Sequence, residues 1–297
     1  MSRSVVLLVN PAAGGGRAKA KAAELAPLLV QAGAIVTIQV AADAADTERV
    51  ARESVAAGVQ VLGVVGGDGT VNLVLPALRG STTALAIVAT GTGDDNARTF
   101  GHVGRAADLA TLIAKGPVDA VDLGIAETSA GERPFLSVLC AGFDSAVNAR
   151  ANDLTWPGGQ ARYVRALLET LYNFRPINYT ITADDAAPLE VRGMLIAVGN
   201  GPTYGGGMRV CPSADPMDGQ LDVTLLTELR KGAFLRAFPK VYSGSFVGHP
   251  AIRQLQVRRL TIAGDAVAFA DGEPFGALPV TVWVDPGALR VVRPMGD

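Results

Sequence analysis

The sequence is poor in the residues that carry metal, thiol and triad chemistry. It has 2 His in 297 residues, His102 and His249, too far apart for a metal or triad spacing; each is expected at the surface or at an interface. It has 2 Cys, Cys140 and Cys211, without C-x-x-C spacing, which read as free buried thiols of a reducing cytoplasm rather than as a disulfide. There is no G-x-S-x-G elbow and no G-x-x-x-x-G-K-[ST] loop, which excludes a Walker-type ATPase, and the first glycine loop is not G-x-G-x-x-G, which weighs against a dinucleotide dehydrogenase. No apolar run reaches the ~18 residues of a spanning helix. The run at 5–9 is broken by Asn10-Pro11, so it reads as a buried strand and not as a signal peptide. A basic excess is also missing: 26 Lys+Arg face 28 Asp+Glu, which disfavours a nucleic-acid partner.

Hydrophobic residues make up 49% of the chain, and its length favours two domains. In the first part, apolar runs at 5–9, 34–40, 60–65 and 84–89 alternate with helical patterns at 18–31, 47–57, 71–78 and 105–115. That alternation predicts an α/β domain with a Rossmann-like parallel sheet covered on both faces. After residue 119 apolar runs follow one another across Gly, Pro and Asp turns, from 121–125 to 280–284, with helical interruptions at 160–174 and 230–242. This predicts a C-terminal antiparallel β-sandwich. The boundaries are set at 1–122 for the α/β domain and 123–287 for the sandwich.

The 35 glycines cluster in loops. Three such loops follow predicted strands: Asn10-Pro11-Ala12-Ala13-Gly14-Gly15-Gly16-Arg17, Gly66-Gly67-Asp68-Gly69-Thr70, and Gly91-Thr92-Gly93-Asp94-Asp95. Glycine lets backbone N–H groups approach phosphate oxygens, and a helix opening after the loop adds its positive end. One such loop is ordinarily just a strand–helix turn. Three at equivalent positions predict one phosphate-binding crevice at the carboxyl ends of the strands. Asp68 among these glycines would repel a phosphate unless a cation lay between them, which suggests water-bound Mg²⁺; the alternative is a helix cap.

Two further acidic groups stand in the second part. Asp215 and Asp218, three apart in a Pro/Gly-bound turn with Gln220 just beyond, can share one hard cation, or can simply be a solvated turn. Asp271-Gly272-Glu273 ends an apolar run. It reads either as an Asp-Gly hairpin turn or as a carboxylate placed to take the proton of an attacking alcohol.

In this order and spacing these motifs resemble the bacterial diacylglycerol kinase family, within the lipid kinases that include sphingosine and ceramide kinases. Gly142-Phe143-Asp144, Asn200-Gly201 and Tyr204-Gly205-Gly206-Gly207 add to the resemblance, which covers nearly the whole chain. It implies ATP and Mg²⁺ as cofactors, a nucleotide-binding domain at 1–122 and a lipid-substrate domain at 123–287 with the nucleotide between them, the return of 288–297 to the first domain, and γ-phosphate transfer to a diacylglycerol-like lipid to give phosphatidic acid. Asp68 would hold Mg–ATP, Asp271 would be the general base, and Glu273 would assist it. Asn10, Pro11, Gly14 to Gly16, Arg17, Gly66, Gly67, Gly69, Thr70, Gly91 and Thr92 would line the nucleotide site. Asp215, Asp218 and Gln220 would hold a structural Mg²⁺.

The sequence departs from the family pattern at Leu73, Ala89, Asp94 and Asn96. The competing readings are an NAD kinase and a non-catalytic lipid or nucleotide sensor. A cytoplasmic protein visiting the inner membrane surface is expected, with Arg17, Lys19, Lys21 and Arg98 as candidate contacts. A homodimer is compatible with the sequence.

Overall fold

The computed structural model describes residues 2–91, 93–156 and 159–294. They form two compact units, one of Met1–Leu123, Pro216–Gly219 and Asp285–Asp297, the other of Gly124–Asp215 and Gln220–Val284. Residues 216–219, placed by sequence in the second domain, group with the first unit.

In the first unit, continuous apolar runs make the strands that have neighbours on both sides. β1 (Ser4–Val9), β2 (Ile35–Val40), β3 (Val61–Gly66) and β4 (Ala84–Ala89) are parallel in the order β2-β1-β3-β4, and residues 290–291 add a parallel segment beside β4. β1, β3 and β4 are buried almost throughout, whereas β2 at the edge is largely exposed. α1 (Arg17–Gln31) carries Ala18, Ala22, Leu25 and Leu29 on one stripe. α2 (Ala44–Ala56) is capped by Asp43, whose side chain accepts from the Asp46 N–H. α3 (Asp68–Leu78) follows β3 directly, and the short α4 (Asp95–Thr99) follows β4. α5 (Ala106–Lys115) joins α1 over Val5, Leu7 and Val9 of β1. Each fully buried leucine of this layer contributes about 1.5–3 kcal/mol. The strand order reverses between β1 and β3, so their carboxyl ends open a crevice.

β5 (Val118–Thr128) begins in the first unit, where Asp122 gathers the distant segments. Its N–H donates to the Pro216 carbonyl at 2.7 Å, Oδ2 accepts from the Gly219 N–H at 2.7 Å, and Oδ1 accepts from the Gly287 N–H at 2.7 Å. Arg79 Nε pairs with Asp285 at 2.6 Å.

The second unit is antiparallel. Its strands are β6 (Gly131–Phe135), β7 (Val138–Gly142), β8 (Ile177–Ala183), β9 (Leu189–Gly199), β10 (Leu221–Thr227), β11 (Ile252–Val257), β12 (Arg259–Ala263), β13 (Val267–Ala270), β14 (Glu273–Ala277) and β15 (Val280–Val292), the last running on into the first unit's segment. β9 serves both layers of the sandwich. Its residues up to Gly193 pair with β8, and those from Leu195 pair with β7 and β10. Gly193 is the corner, because a Cβ there would meet the Leu226 carbonyl at 3.0 Å. Between the layers lies a core that includes Phe135, Tyr179, Ile196, Val223, Leu260 and Val282. α6 (Phe143–Asp153), α7 (Gly159–Asn173) and α8 (Lys231–Ala237) cover the outer side of β9 and β10 through Phe143, Leu167, Met194, Leu226 and Phe234. The α/β-plus-sandwich class expected from the sequence is therefore present.

His102 corrects an expectation, since it is buried in the first unit and not at the surface. Nδ1 accepts from the Ile87 N–H at 3.2 Å, which leaves the proton on Nε2, 2.6 Å from the Val292 carbonyl. Burial pushes its pKa down to about 4, against the raising effect of the Val292 carbonyl. The folded pKa thus lies below the unfolded value of about 6.5. The stability tied to neutral His102 is fully present above pH ~6.5 and is lost as pH falls toward 4. Urea unfolding is expected to show about 2 kcal/mol lost between pH 7.5 and pH 5, and a flatter dependence in His102→Gln. Equal slopes for both proteins would show that the pH dependence originates elsewhere.

Candidate active site

The first-unit loops meet through backbone approaches that only glycine permits. Gly14, Gly15 and Gly16 have φ of +60°, +66° and +90°. A Cβ on Gly14 would lie 2.3 Å from the Thr90 carbonyl oxygen, and one on Gly91 would lie 3.3 Å from Gly67 Cα. Nothing stands within 4 Å of the equivalent positions on Gly15 and Gly16, so that part of the turn faces open space. Asn10 Nδ2 donates to Thr70 Oγ1 at 2.9 Å, and the Asn10 side chain accepts from the Ala12 N–H at 3.1 Å. These bonds hold the first loop, with Pro11 inside it, against the second.

Asp68 links the second loop to the third. Its oxygens accept from the N–H groups of Asp95 and Asn96, both at 3.2 Å, and from Asn96 Nδ2 at 3.1 Å. Burial pushes the Asp68 carboxyl above its ordinary value; those N–H groups oppose the rise, and the charges of Asp95 and Asp94 add to it. Asp94 sits at φ +52° and accepts from the Gly91 N–H at 2.9 Å. Gly66, Gly67, Gly69 and Thr70 make the turn into α3, whose first N–H groups open beside Asp68. Thr92 lies outside the described residues.

Cations converge on this cradle. Arg17 donates to the Gly14 carbonyl at 2.8 Å and Lys21 to the Ala89 carbonyl at 2.6 Å. Arg98 donates to the Gly93 carbonyl and lies 3.1 Å from Asp95. Arg17, Lys21 and Arg98 thus lie at the glycine loops. Lys21 stands one helical turn after Arg17, a spacing that could have revealed it as a second cation of the loop. Thr90 Oγ1 and Asn72 Oδ1 are buried without a hydrogen-bond partner. A cradle of open glycines, helix N-termini, cations and orphaned polar atoms fits the phosphates of a nucleotide.

In the second unit, Asp271 and Gly272 form the two-residue turn between β13 and β14, with φ of +47° and +85°. This is the Asp-Gly hairpin that the spacing allowed. The same carboxylate also faces three backbone donors: Oδ2 accepts from the Leu136 N–H at 2.8 Å, and Oδ1 accepts from those of Ser137 and Val138, both at 2.9 Å. Asn200 is drawn to the same strand start, with Nδ2 donating to the Leu136 carbonyl at 2.9 Å. Glu273 is exposed one residue past the turn. Asp215 and Asp218 are exposed and fall in different units, with Gln220 in that of Asp215. Among the described residues no group of three or more His, Cys, Asp or Glu side chains is placed to hold a metal.

β7 leads from Asp271 to a carboxylate the motif reading did not assign a role. Cys140 Sγ donates to Asp144 Oδ2 at 3.0 Å. Burial pushes the Cys140 thiol well above its ordinary value, and the charges of Asp144 and Asp271 add to the rise. Asp144 lines a narrow pocket of about 90 Å³ whose other walls include Phe143, Leu167, Tyr204, Met208, Phe234 and Phe246. Both cysteines are free and buried, as expected.

A parallel α/β unit with an anion cradle, joined to an antiparallel sandwich with an apolar pocket, defines a nucleotide-using kinase with an apolar acceptor. The sequence matches the diacylglycerol kinase catalytic domain over residues 4–126 and the YegS C-terminal NAD kinase beta sandwich-like domain over 137–293. It is 34% identical to a diacylglycerol kinase of Mycobacterium tuberculosis over 98% of this chain and 95% of that one. It is 32% identical to a probable YegS-like lipid kinase of Pseudomonas aeruginosa over 100% and 97%. The fold is that of a putative diacylglycerol kinase from Bacillus anthracis, with a TM-score of 0.78, 24% identity and 98% of each chain covered. The chain belongs to the diacylglycerol kinase family of ATP-using lipid kinases.

Gly14→Ala would force its methyl against the Thr90 carbonyl at an unfavourable φ. It is expected to lower stability by about 1–3 kcal/mol and to weaken ATP binding at least tenfold. Gly33→Ala, at φ +97° with open space around it, controls for strain alone. Calorimetric titration with ATP checks this, and equal affinities in the two variants would remove the first loop from the nucleotide site.

Proposed function

We propose that this kinase transfers the γ-phosphate of ATP to a hydroxyl of diacylglycerol or a similar lipid, giving phosphatidic acid. The observation that carries the proposal is the second unit's pocket, whose almost wholly apolar lining is in keeping with a lipid acceptor. The relative of Mycobacterium tuberculosis named a diacylglycerol kinase supports that acceptor. An NAD acceptor finds less support, because Asp144, Tyr204, Thr224 and His249 are the few polar side chains among many apolar ones on the wall.

In this reading Gly14 to Gly16, the α3 N-terminus, Arg17 and Lys21 bind the phosphates. Mg²⁺, when bound, would neutralise charge on the transferring group. The crowding of Asp68, Asp94 and Asp95 fits a dication held largely through water and phosphate oxygens, in keeping with its reluctance to shed water. Asp271 takes the proton of the attacking hydroxyl, and Glu273 assists at the same turn. The structural Mg²⁺ at Asp215, Asp218 and Gln220 is proposed on the sequence pattern.

The test is phosphate transfer from ATP with Mg²⁺ to diacylglycerol, sphingosine, phosphatidylglycerol and NAD. Diacylglycerol is expected to be labelled. Asp271→Asn is expected to lose at least about 10²-fold in turnover while keeping nucleotide binding. It should also melt earlier, because an amide NH₂ would face a backbone N–H. Labelling of NAD alone would overturn the lipid reading, and undiminished turnover in Asp271→Asn would remove it as the base.

A further inference from the structure

We propose that α8, the segment 238–247 after it and the end of α7 form the face by which this kinase sits on an anionic lipid bilayer. The inference rests on the lipid-acceptor reading above. Four large apolar side chains stand out there: Tyr172 is 79% exposed, Leu235 44%, Tyr242 51% and Val247 39%. Lys231, Arg236 and Lys240 are exposed among them, and no Asp or Glu occurs anywhere in 229–264. Lys231 joins the pieces, its Nζ lying 5.4 Å from the centre of the Tyr172 ring and donating to the Tyr172 carbonyl. The acid of α7, Glu169, is held by Arg150 and Arg165 at 2.7 Å each. The face is therefore positive although the chain as a whole carries −2.

Exposed Tyr and Leu set among Lys and Arg is the composition of a surface that lies in the headgroup layer, with rings and aliphatic stems toward the acyl chains. The positive charge argues for lipid over a second copy of the chain, whose like face would repel it. The face is also continuous with the acceptor pocket. Phe234, Phe238 and Val241 line that pocket, while Leu235, Arg236, Lys240 and Tyr242 of the same segment are exposed. Ring contacts run outward from Phe143 to Phe234 at 4.8 Å, to Phe238 at 5.8 Å and to Tyr242 at 6.5 Å. A bilayer on this face sets an acyl chain beside the pocket without passage through water.

The experiment is co-sedimentation of the full chain with vesicles of phosphatidylcholine, with and without phosphatidylglycerol, alongside turnover on a water-dispersed short-chain diacylglycerol. Binding is expected only with phosphatidylglycerol and is expected to fall with salt. Arg236→Glu/Lys240→Glu is expected to bind at least about tenfold more weakly, and Leu235→Ser severalfold more weakly, with turnover on the short-chain substrate kept by both. Equal binding by variants and wild type, binding indifferent to phosphatidylglycerol, or a solution dimer that the substitutions dissociate would overturn the proposal. Vesicle binding without phosphorylation of any lipid would keep this surface and sink the acceptor reading. Turnover on the short-chain lipid without vesicle binding would do the reverse.

Discussion

One buried carboxylate closes the first unit. That unit is assembled from three stretches of chain, and Asp122 bonds to two of the returns, at Gly219 and Gly287, from a position on the third. Two short bonds from backbone N–H groups to an acceptor 4% exposed are difficult to replace with water. The parallel sheet, and with it the spacing of the three glycine loops at its carboxyl ends, depends on that closure. His102 applies the same logic at β4, holding Val292 so that the terminal segment stays beside the strand that feeds the third loop.

The chemistry is set on backbone held at close quarters. The glycine loops approach one another at distances no side chain would tolerate, so their N–H groups and the flanking cations share a small space. Asp271 serves two ends at once. Its left-handed backbone makes the hairpin turn, and its carboxylate secures the start of β7, the strand that carries Cys140 toward Asp144 and the pocket. A group fixed by three N–H donors has little freedom to wander, which is what the proposed role of Asp271 as proton acceptor requires.

Much of this was legible in the sequence because it rests on local signals. Uninterrupted apolar runs marked β1, β3 and β4, and Gly-Gly-Asp-Gly-Thr marked the start of α3. The family resemblance correctly anticipated both the fold class and the kinase activity. What escaped reading lacked a local signal. α6 has almost no amphipathic stripe, since it follows Gly142 directly and is held by contacts with α7 and β7 rather than by its own pattern. The helical pattern at 230–242 reads as a single helix in sequence, but Pro239 ends α8 and tightens the remainder into a 3₁₀ segment. His102 looked like a surface residue because its partners, Ile87 and Val292, lie far away along the chain. Asp144 passed as one member of a motif because the pocket it faces is built from six separate segments.

The placement of residues 290–291 beside β4 has a consequence for how the protein is made. A ribosome delivers β1 to β4 early and then all of the second unit before it reaches the segment that completes the first sheet. Until then the nascent first unit exposes the edge of β4 and lacks the partner of the His102 ring. Such an unpaired apolar edge is a place for chaperones to act and for misassembly to begin. The edge of the first sheet is therefore covered only after the cradle's own loops and the whole second unit have been made.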